Sequence, residues 1–552
     1  MLFVCLLFSV VLNISFVLSA DLTVATTYGN IEGYLRTSPN HVTFRAFQGI
    51  PYAKPPLGNL RFQAPVPPDS WSSVIETKKD GSRCYSVAKD TPDEDENCLF
   101  INVYTPILNK SNATLLPVMF YLFGGGFRDG ASQYGVYGPD YLIEQEVVMV
   151  SLNYRVGPFG FLSTADTVIP GNAGLKDQVL GLKWVQQNIK SFGGDPDKVT
   201  IFGQSAGGAS VGLHVMSKSS SGLFRGGIAE SGSGISNWAY IADPKPYGYE
   251  LASLINSTIN IDSSSALLSF LQSVPAKQID IASTKTTKID HPLPVIEVEH
   301  EGAFLTKNMY QALKSGDFNR VPLFIGVNSE EYISLATDME SLRKRAASYD
   351  KSLKNLVPHT MNIVNKQKLN ELGHTIKEIY ISANETFEDN LGLAIAYNSE
   401  SHFLNPCVRH AEIQSQYTDV YFYKFSYAGP MGRNTNITLP GAEKDTHGEE
   451  LFYIFKRALN GYDNSDLSKF PNDDVLTHKR MIKLWTNFAK YLNPTPETDP
   501  VLQNIVWPKM EPGQLNYVNI DTDLLIENNI KHGRYIKWRD LFEENAIDPV
   551  MF

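Results

Sequence analysis

Short, continuous apolar runs recur along the chain and are separated by longer stretches with helical spacing. Most of these runs are rich in β-branched and aromatic residues and end at a turn signal. Runs without polar alternation are typical of strands that are buried on both faces of a parallel sheet. The pattern predicts strands at residues 42–47, 49–53, 99–104, 118–123, 147–152, 199–202, 227–230, 321–327 and 420–425.

Helical periodicity fills the gaps between several of these runs. Residues 174–192 place Val179, Leu182 and Val185 on one stripe and end at a Gly-Gly-Asp-Pro turn. Residues 206–216 and 481–492 also predict helices. Strands that alternate with helices predict an α/β fold with a large, mostly parallel central sheet and helices on both faces. We find no internal repeat and no clear linker, so residues 20–552 are expected to form a single domain.

One stretch, residues 199–208, carries the strongest chemical signal. Its β-branched strand ends abruptly in Gly203-Gln204-Ser205-Ala206-Gly207, and small residues that predict a helix follow. A strand, a sharp Gly-x-Ser-x-Gly turn and a helix are the context of a nucleophile elbow. Ser205 is therefore a candidate nucleophile, which needs a base, an acid and an oxyanion hole.

Charge and targeting signals narrow the class of protein. The formal net charge is −11, and the chain lacks the long basic runs that nucleic-acid binding favours. The apolar first residues predict a signal peptide at residues 1–19, and no later run is long and apolar enough to span a membrane. Secretion is supported by sequons at Asn109, Asn112, Asn256, Asn384 and Asn436.

Two further motifs supply candidates for the rest of the site. The strand at 118–123 runs into three glycines, where the N–H groups of Gly125 and Gly126, together with that of Ala206, can face an oxyanion. Among eleven histidines, His447 has the best context as a base, ahead of His532, because Thr446 and Glu449 fit a capping box that would place His447 at a helix start.

The acid is expected after the strand at 321–327, between the nucleophile and the base in chain order. Two adjacent carboxylates, Glu330 and Glu331, follow that strand, and the spacing alone leaves the choice between them open.

Dispersed motifs in the expected order make nearly the whole mature chain resemble the type-B carboxylesterase/cholinesterase family of the α/β-hydrolase fold. The matching segments are 49–53 with Arg61-Phe62, Asn97 to Pro106, Asn153 to Gly157, Gly171 to Gln178, Phe192 to Pro196 and the elbow. The resemblance implies the following roles: Ser205 as nucleophile, Glu331 as acid, His447 as base, Gly125, Gly126 and Ala206 as oxyanion hole, Ser231 as a serine beside the acid, and Cys84–Cys98 as a disulfide. It implies no metal and no organic cofactor.

Three departures from the family pattern bear on the substrate. Phe123 stands where many members have His before the glycines, which gives the oxyanion loop a less polar support. Gln204 replaces the Glu that cholinesterases carry before the nucleophile, and no Trp lies between Cys84 and Cys98. Both changes remove groups that attract a quaternary ammonium and favour a neutral ester. Gln204 also resembles insect juvenile-hormone esterases and related insect carboxylesterases, although Lys444 replaces the Gly of the hormone-esterase signature.

The sequence therefore predicts a secreted serine carboxylesterase that acts on a small apolar ester, such as a hormone, pheromone, odorant or xenobiotic ester. Phe127 and Trp238 are expected to wall the acyl side of an apolar gorge, or else to be ordinary core aromatics. A monomer or homodimer without nucleic-acid partners is expected. The alternatives are a catalytically silent adhesion or binding protein of the same family, and a lipase.

Overall fold

A computed structural model describes residues 22–87, 93–108, 114–433, 437–459 and 461–552. The predicted signal peptide and the sequons at Asn109, Asn112 and Asn436 lie outside the described residues. Asn256 and Asn384 lie inside them, and both are exposed.

A sheet of eleven strands dominates the described part of the chain. We number its strands in chain order: β1 (Tyr34–Thr37), β2 (Thr43–Pro51), β3 (Phe100–Thr105), β4 (Leu116–Leu122), β5 (Val148–Leu152), β6 (Gly194–Gln204), β7 (Gly226–Glu230), β8 (Leu323–Asn328), β9 (Val420–Phe425), β10 (Tyr517–Ile520) and β11 (Leu524–Glu527). Each predicted strand is confirmed, and the runs at 42–47 and 49–53 join into β2 across a register shift. Three strands of this sheet, β1 and the two C-terminal strands, were not predicted.

The order across the sheet is β1-β2-β3-β5-β4-β6-β7-β8-β9-β10-β11. Every pairing from β5 through β10 is parallel, whereas the outer pairings are antiparallel. The mostly parallel sheet that the sequence predicts is therefore confirmed. In β4, Val118, Phe120 and Leu122 pack into one core layer, while Met119 and Tyr121 pack into the other. Burial of both faces explains why this strand shows no polar alternation.

Helices cover both faces of the sheet. The α-helices are Asp140–Ile143, Gly157–Phe161, Ala173–Asn188, Ala206–Met216, Lys245–Ile255, Ser264–Ser273, Ala276–Ser283, Met309–Ser315, Met339–Lys351, Lys366–Tyr380, Leu391–Ser399, Asn405–Gln414, Asn472–Tyr491 and Arg534–Asn545. The predicted helix at 174–192 ends as the 3-10 turn Ile189–Phe192, and the one predicted at 481–492 begins earlier, at Asn472. No helix within the described ranges is long and apolar enough to cross a membrane.

Smaller elements complete the fold. Strands Thr23–Ala25, Asn30–Glu32 and Ile75–Glu76 form one small sheet, and Ala458–Leu459 pairs with Tyr462–Asp463. Cys84 is bridged to Cys98, the pairing that the family resemblance implies, and Cys407 is a buried free thiol.

The parallel register brings chemistry-bearing residues to one edge of the sheet. Gln204 at the end of β6 is paired with Glu230 at the end of β7, and Glu230 is paired with Gly326 near the end of β8. Loops that leave these carboxyl ends meet above the sheet, which is where open α/β sheets place their sites.

Candidate active site

The turn after β6 is strained at a single residue. Ser205 has φ 60° and ψ −122°, a conformation that side chains rarely adopt, and its N–H donates to the Glu230 carbonyl over 2.8 Å. A Cβ at Gly203 would lie 2.5 Å from the Leu122 carbonyl oxygen, and a Cβ at Gly207 only 1.9 Å from it. Both outer glycines are therefore required by close packing against β4, as the Gly-x-Ser-x-Gly pattern predicts.

The glycine loop after β4 lies against this turn. A Cβ on Gly124 would come within 2.9 Å of the Ser205 Cβ. Gly125 and Gly126 have φ of 116° and 62°, and the Gly125 carbonyl accepts hydrogen bonds from the N–H groups of Arg128 and Asp129. Because C=O and N–H point in opposite directions across a peptide, these bonds aim the Gly126 N–H away from the loop interior.

The backbone donors of the predicted oxyanion hole are open. In the described part of the chain, the N–H groups of Gly125, Gly126 and Ala206 donate to no protein acceptor. Ala206 is the first residue of its helix, where an N–H has no intrahelical partner. The three donors are thus available to an anionic oxygen beside Ser205.

Phe123, which stands where many family members have His, is held in place by Tyr154. Its ring stacks on Tyr154 with centroids 4.2 Å apart, and the Tyr154 hydroxyl donates to the Phe123 carbonyl over 2.7 Å. A buried tyrosine therefore holds the start of the glycine loop, and the histidine side chain found in many relatives is not needed for that purpose.

His447 and Glu331 meet across two loops, the acid loop (residues 328–331) and the base loop (residues 443–450). The Glu331 Oε2 atom lies 2.6 Å from His447 Nδ1. The other carboxylate oxygen accepts from the Ser231 hydroxyl at 2.6 Å and from the Asn328 N–H at 2.7 Å. Glu331 is 2% exposed, so both of its oxygens are satisfied by protein groups in a nearly dry setting.

Glu330 faces the opposite way from its neighbour. One of its oxygens accepts from the Glu443 N–H and lies 3.5 Å from the buried Lys531 ammonium. The Lys531 ammonium also donates to the Ser329 carbonyl and to the Glu443 side chain, which ties the two loops together. The geometry therefore distinguishes the two carboxylates, since only Glu331 contacts the imidazole.

The predicted capping box at His447 is wrong. His447 lies in a turn, and only the short 3-10 turn Glu450–Phe452 follows. Glu449 accepts from the Arg433 N–H rather than from the backbone of Thr446, and the Thr446 hydroxyl has no partner among the described residues. Gly448, at φ 76°, breaks the helix that the spacing suggested. The predicted helix-start environment for the base is therefore absent.

Gln204 contacts the candidate base directly. Its Nε2 atom lies 3.1 Å from His447 Nε2. An amide nitrogen only donates, so the imidazole nitrogen accepts here, and its proton resides on Nδ1, toward Glu331. This is the tautomer in which Nε2 carries the lone pair that a general base requires.

An aromatic wall leads from the glycine loop to the base. Phe127 is fully buried, with its ring 6.5 Å from Trp238, and Trp238 lies 5.6 Å from Phe403. Phe403 in turn lies 4.5 Å from the His447 ring. The sequence predicts that Phe127 and Trp238 either wall the acyl side of a gorge or are ordinary core aromatics, and it does not predict Phe403 beside them.

A signal for Phe403 was present in the sequence. Pro406 has no N–H, so the carbonyl of His402, four residues earlier, is released from the helical ladder. That carbonyl accepts from the Trp238 indole N–H at 2.8 Å, and the helix widens into the π-helical turn Glu400–Leu404. Such turns are frequent at functional sites.

Three more carboxyl groups lie buried behind the site. Burial raises the pKa of Glu230 to about 8 despite a hydrogen bond from Trp485, and it raises the pKa of Glu450 well above its ordinary value. Burial also raises the pKa of Asp445 to about 8, although the Ser329 hydroxyl stabilises its charged form. None of the three contacts the imidazole of His447 in the described structure.

A strained serine turn between a parallel strand and a helix, above a mostly parallel sheet, defines the α/β-hydrolase fold. The chain belongs to the Carboxylesterase family, whose pattern residues 20–538 match. It is therefore a carboxylic ester hydrolase.

Named relatives show how broad this family is. Juvenile hormone esterase of Tribolium castaneum is 31% identical over 92% of this chain and 88% of its own, and acetylcholinesterase of Bungarus fasciatus is 32% identical over 92% and 84%. A crystal structure of juvenile hormone esterase from Manduca sexta, with OTFP covalently attached, superposes with a TM-score of 0.82 at 27% identity, covering 95% of this chain and 99% of that one. Since two enzymes named for different esters are 31% and 32% identical to this chain, identity alone does not select a substrate.

Proposed function

We propose that this chain is a secreted serine esterase that cleaves neutral carboxylic esters through the triad Ser205, His447 and Glu331. The observation that carries the proposal is the Glu331–His447 contact of 2.6 Å, with Ser231 and the Asn328 N–H on the second carboxylate oxygen. A buried carboxylate in this position holds the imidazole in one tautomer and stabilises the cation that forms during the reaction.

In the acylation step, the Ser205 hydroxyl oxygen attacks the ester carbonyl carbon while its proton passes to His447 Nε2. The carbonyl oxygen becomes an anion, to which Gly125, Gly126 and Ala206 donate their N–H groups. Collapse of this intermediate breaks the bond to the alcohol oxygen, and His447 returns the proton to the departing alcohol.

In the deacylation step, a water molecule gives a proton to His447 and attacks the acyl-serine. As the second tetrahedral intermediate collapses, the bond between the acyl carbon and the Ser205 oxygen breaks, and His447 returns the proton to that oxygen, which releases the carboxylic acid and free Ser205. Before substrate binds, Gln204 occupies the base through its amide, so Nε2 must exchange that contact for the Ser205 hydroxyl during turnover.

The chemistry around the site favours an uncharged substrate. Gln204 presents a neutral amide beside the base, and Phe127, Trp238 and Phe403 form an apolar wall. These groups suit an apolar acyl chain and offer no carboxylate at position 204 to a cationic alcohol. Secretion is supported by the predicted signal peptide and by the Cys84–Cys98 bridge, which is typical of oxidising compartments. Glycans are proposed at the five sequons, of which Asn256 and Asn384 are exposed.

The experiment compares hydrolysis of p-nitrophenyl acetate by the purified chain with that by Ser205→Ala and by the exposed control Ser348→Ala. We expect Ser205→Ala to lower kcat by roughly 10⁶-fold and Ser348→Ala to match the parent. Equal rates for Ser205→Ala and the parent would contradict the triad. Equal rates that do not exceed the uncatalysed rate would favour a catalytically silent binding protein.

A second comparison addresses the charge of the substrate. Acetylcholine and 3,3-dimethylbutyl acetate have the same shape, but only the former carries a charge. We expect a higher kcat/KM for the neutral ester and a shift toward the choline ester in Gln204→Glu. A preference of the parent for acetylcholine would contradict the substrate assignment.

A further inference from the structure

The glycine loop is held by its carbonyl groups. Tyr154 bonds the Phe123 carbonyl, two loop N–H groups bond that of Gly125, and the Gly157 N–H bonds that of Phe127 at 2.7 Å. The Gly126 carbonyl is also hydrogen-bonded, but to a side chain from another segment of the chain. His291 Nε2 lies 2.9 Å from the Gly126 oxygen.

This contact holds the peptide between Gly126 and Phe127, whose backbone conformation is strained. Gly126 and Phe127 have φ of 62° and 60°, and the left-handed region is costly for a phenylalanine. Rotation of the peptide between them would relieve Phe127 and turn the Gly126 carbonyl from its outward position. A carbonyl oxygen near the three open N–H donors would repel an oxyanion and compete for those donors. The His291 contact opposes that rotation.

The segment that carries His291 is itself anchored. Four residues further on, the Val295 N–H and carbonyl are both bonded to the Asn172 side chain, at 2.9 and 2.8 Å. Asn172 also donates to Glu297, whose other oxygen lies 2.6 Å from Lys176 in a buried ion pair. Pro292 and Pro294 stiffen the chain in between. His291 therefore projects from a fixed support, and its side chain is only 17% exposed.

The ring of His291 contacts an acceptor on each side. Its Nδ1 atom lies 2.9 Å from the Asp290 carboxylate, which Arg128 approaches to 3.2 Å, and Nε2 lies beside a carbonyl. Because a carbonyl only accepts, Nε2 carries a proton in this contact and donates it to the Gly126 oxygen.

We propose that His291 is a positioning residue of the esterase reaction: it fixes the Gly126–Phe127 peptide so that the oxyanion donors stay open. This inference rests on the proposed function, because it concerns the oxyanion hole of that reaction. It assigns to a side chain outside the glycine loop a support of that loop in addition to the Tyr154 contact at Phe123.

The test measures kcat and KM for p-nitrophenyl acetate in the parent, His291→Ala, His291→Gln and His374→Ala, an exposed histidine on the helix Lys366–Tyr380. Rates are normalised to active sites counted by the stoichiometric burst with paraoxon, so that misfolded protein does not contribute. An alkyl trifluoromethyl ketone, which forms an oxyanion when the serine adds to it, provides a second readout through its inhibition constant.

We expect His291→Ala to lower kcat about tenfold, less than the loss of a whole oxyanion donor, with KM changed by less than about twofold. The inhibition constant of the ketone should rise by a similar factor. His291→Gln retains an N–H donor at a similar reach and should recover most of the rate, and His374→Ala should match the parent.

Two results would overturn the inference while the proposed function stands. One is an active parent and a His291→Ala variant with the same kcat per site and the same ketone affinity. The other is a loss of rate that His291→Gln does not restore. A parent that does not hydrolyse the ester, or that is indistinguishable from Ser205→Ala, would instead overturn the proposed function and the inference with it.

Discussion

The elbow (residues 203–208) and the acid and base loops build the same site in different ways. The elbow takes its shape from six consecutive residues, because glycines at 203 and 207 let the chain pass against Leu122. The two loops are 116 residues apart at Glu331 and His447 and are joined by bonds between their backbones, from His447 N–H to the Glu331 carbonyl and from Glu330 N–H to the Asp445 carbonyl. The shape of the elbow depends on steric contacts of neighbouring residues, whereas the two loops depend on hydrogen bonds and charges between residues that are far apart in sequence. We therefore expect changes in the elbow to lower stability by steric overlap, and changes in the two loops to act through charge, on kcat, on stability and on its pH dependence.

The largest effect is expected from the acid loop. Glu331→Gln should lower kcat about 10⁴-fold, because a neutral amide neither fixes the imidazole tautomer nor stabilises its cation. The matched control is Glu330→Gln, one residue away, which should retain most of kcat since Glu330 faces Lys531. Steady-state hydrolysis of p-nitrophenyl acetate measures both. Equal losses in the two variants would show that the loops do not distinguish these carboxylates.

A side chain larger than that of glycine in the elbow is expected to destabilise the fold by steric overlap. A Cβ at Gly207 would lie 1.9 Å from a backbone oxygen, so Gly207→Ala should destabilise the fold by about 4 kcal/mol. Gly222→Ala is the control, because a Cβ at Gly222 would have nothing within 4 Å, and the positive φ of this residue should make the substitution cost only about 1 kcal/mol. Urea denaturation followed by tryptophan fluorescence gives both values. Similar costs would refute the steric account.

Lys531 tests whether charge holds the two loops together. Burial alone would lower the pKa of Lys531, but the negative charges of Glu330, Glu443 and Glu400 raise it above its ordinary value. Lys531→Met leaves the buried Glu330 carboxylate without a counter-ion and should cost about 3 kcal/mol, with a fall in kcat. Adding Glu330→Gln to Lys531→Met should recover part of both losses. A double variant no better than Lys531→Met would argue that Lys531 acts by packing alone.

A smaller, pH-dependent effect is expected at Asp445. Because its pKa is raised to about 8 in the fold, its stabilising contribution is complete below the pKa of the unfolded carboxyl and is lost as the pH rises through about 8. Asp445→Asn removes this loss and should be more stable than the parent at pH 9, by about 2 kcal/mol, with the difference shrinking toward pH 5. Melting temperatures across this range measure it. A constant difference at all pH values would contradict the assignment.

The same contrast explains what the sequence could predict. The central strands, the elbow and the glycine loop depend on neighbours in the chain, and their patterns predicted them. The choice between Glu330 and Glu331 depends on Lys531 and Ser231, which lie far away in sequence, so spacing left it open and only the family resemblance pointed to Glu331.

The failures have physical causes of the same kind. The capping box at Thr446 is a local pattern that the tertiary pairing of His447 N–H with Glu331 overrides. His291 carries no motif and comes to the site through the anchoring of residues 295–297 by Asn172. The signal for Phe403 is Pro406 alone, which lies beside the π-helical turn and is not a motif by itself. The edge strand β11 was missed because the apolar pattern is weak in a half-exposed strand, and the buried strand β10 is only four residues long, which is too short for a clear pattern.

The most direct test of the central claim is to find which residue reacts as the nucleophile. The purified chain is treated with diisopropyl fluorophosphate, digested and analysed by tandem mass spectrometry. We predict a single diisopropylphosphoryl group on Ser205 that forms together with loss of activity and forms far more slowly in His447→Ala. A label on another residue, or inactivation without a label on Ser205, would contradict the account.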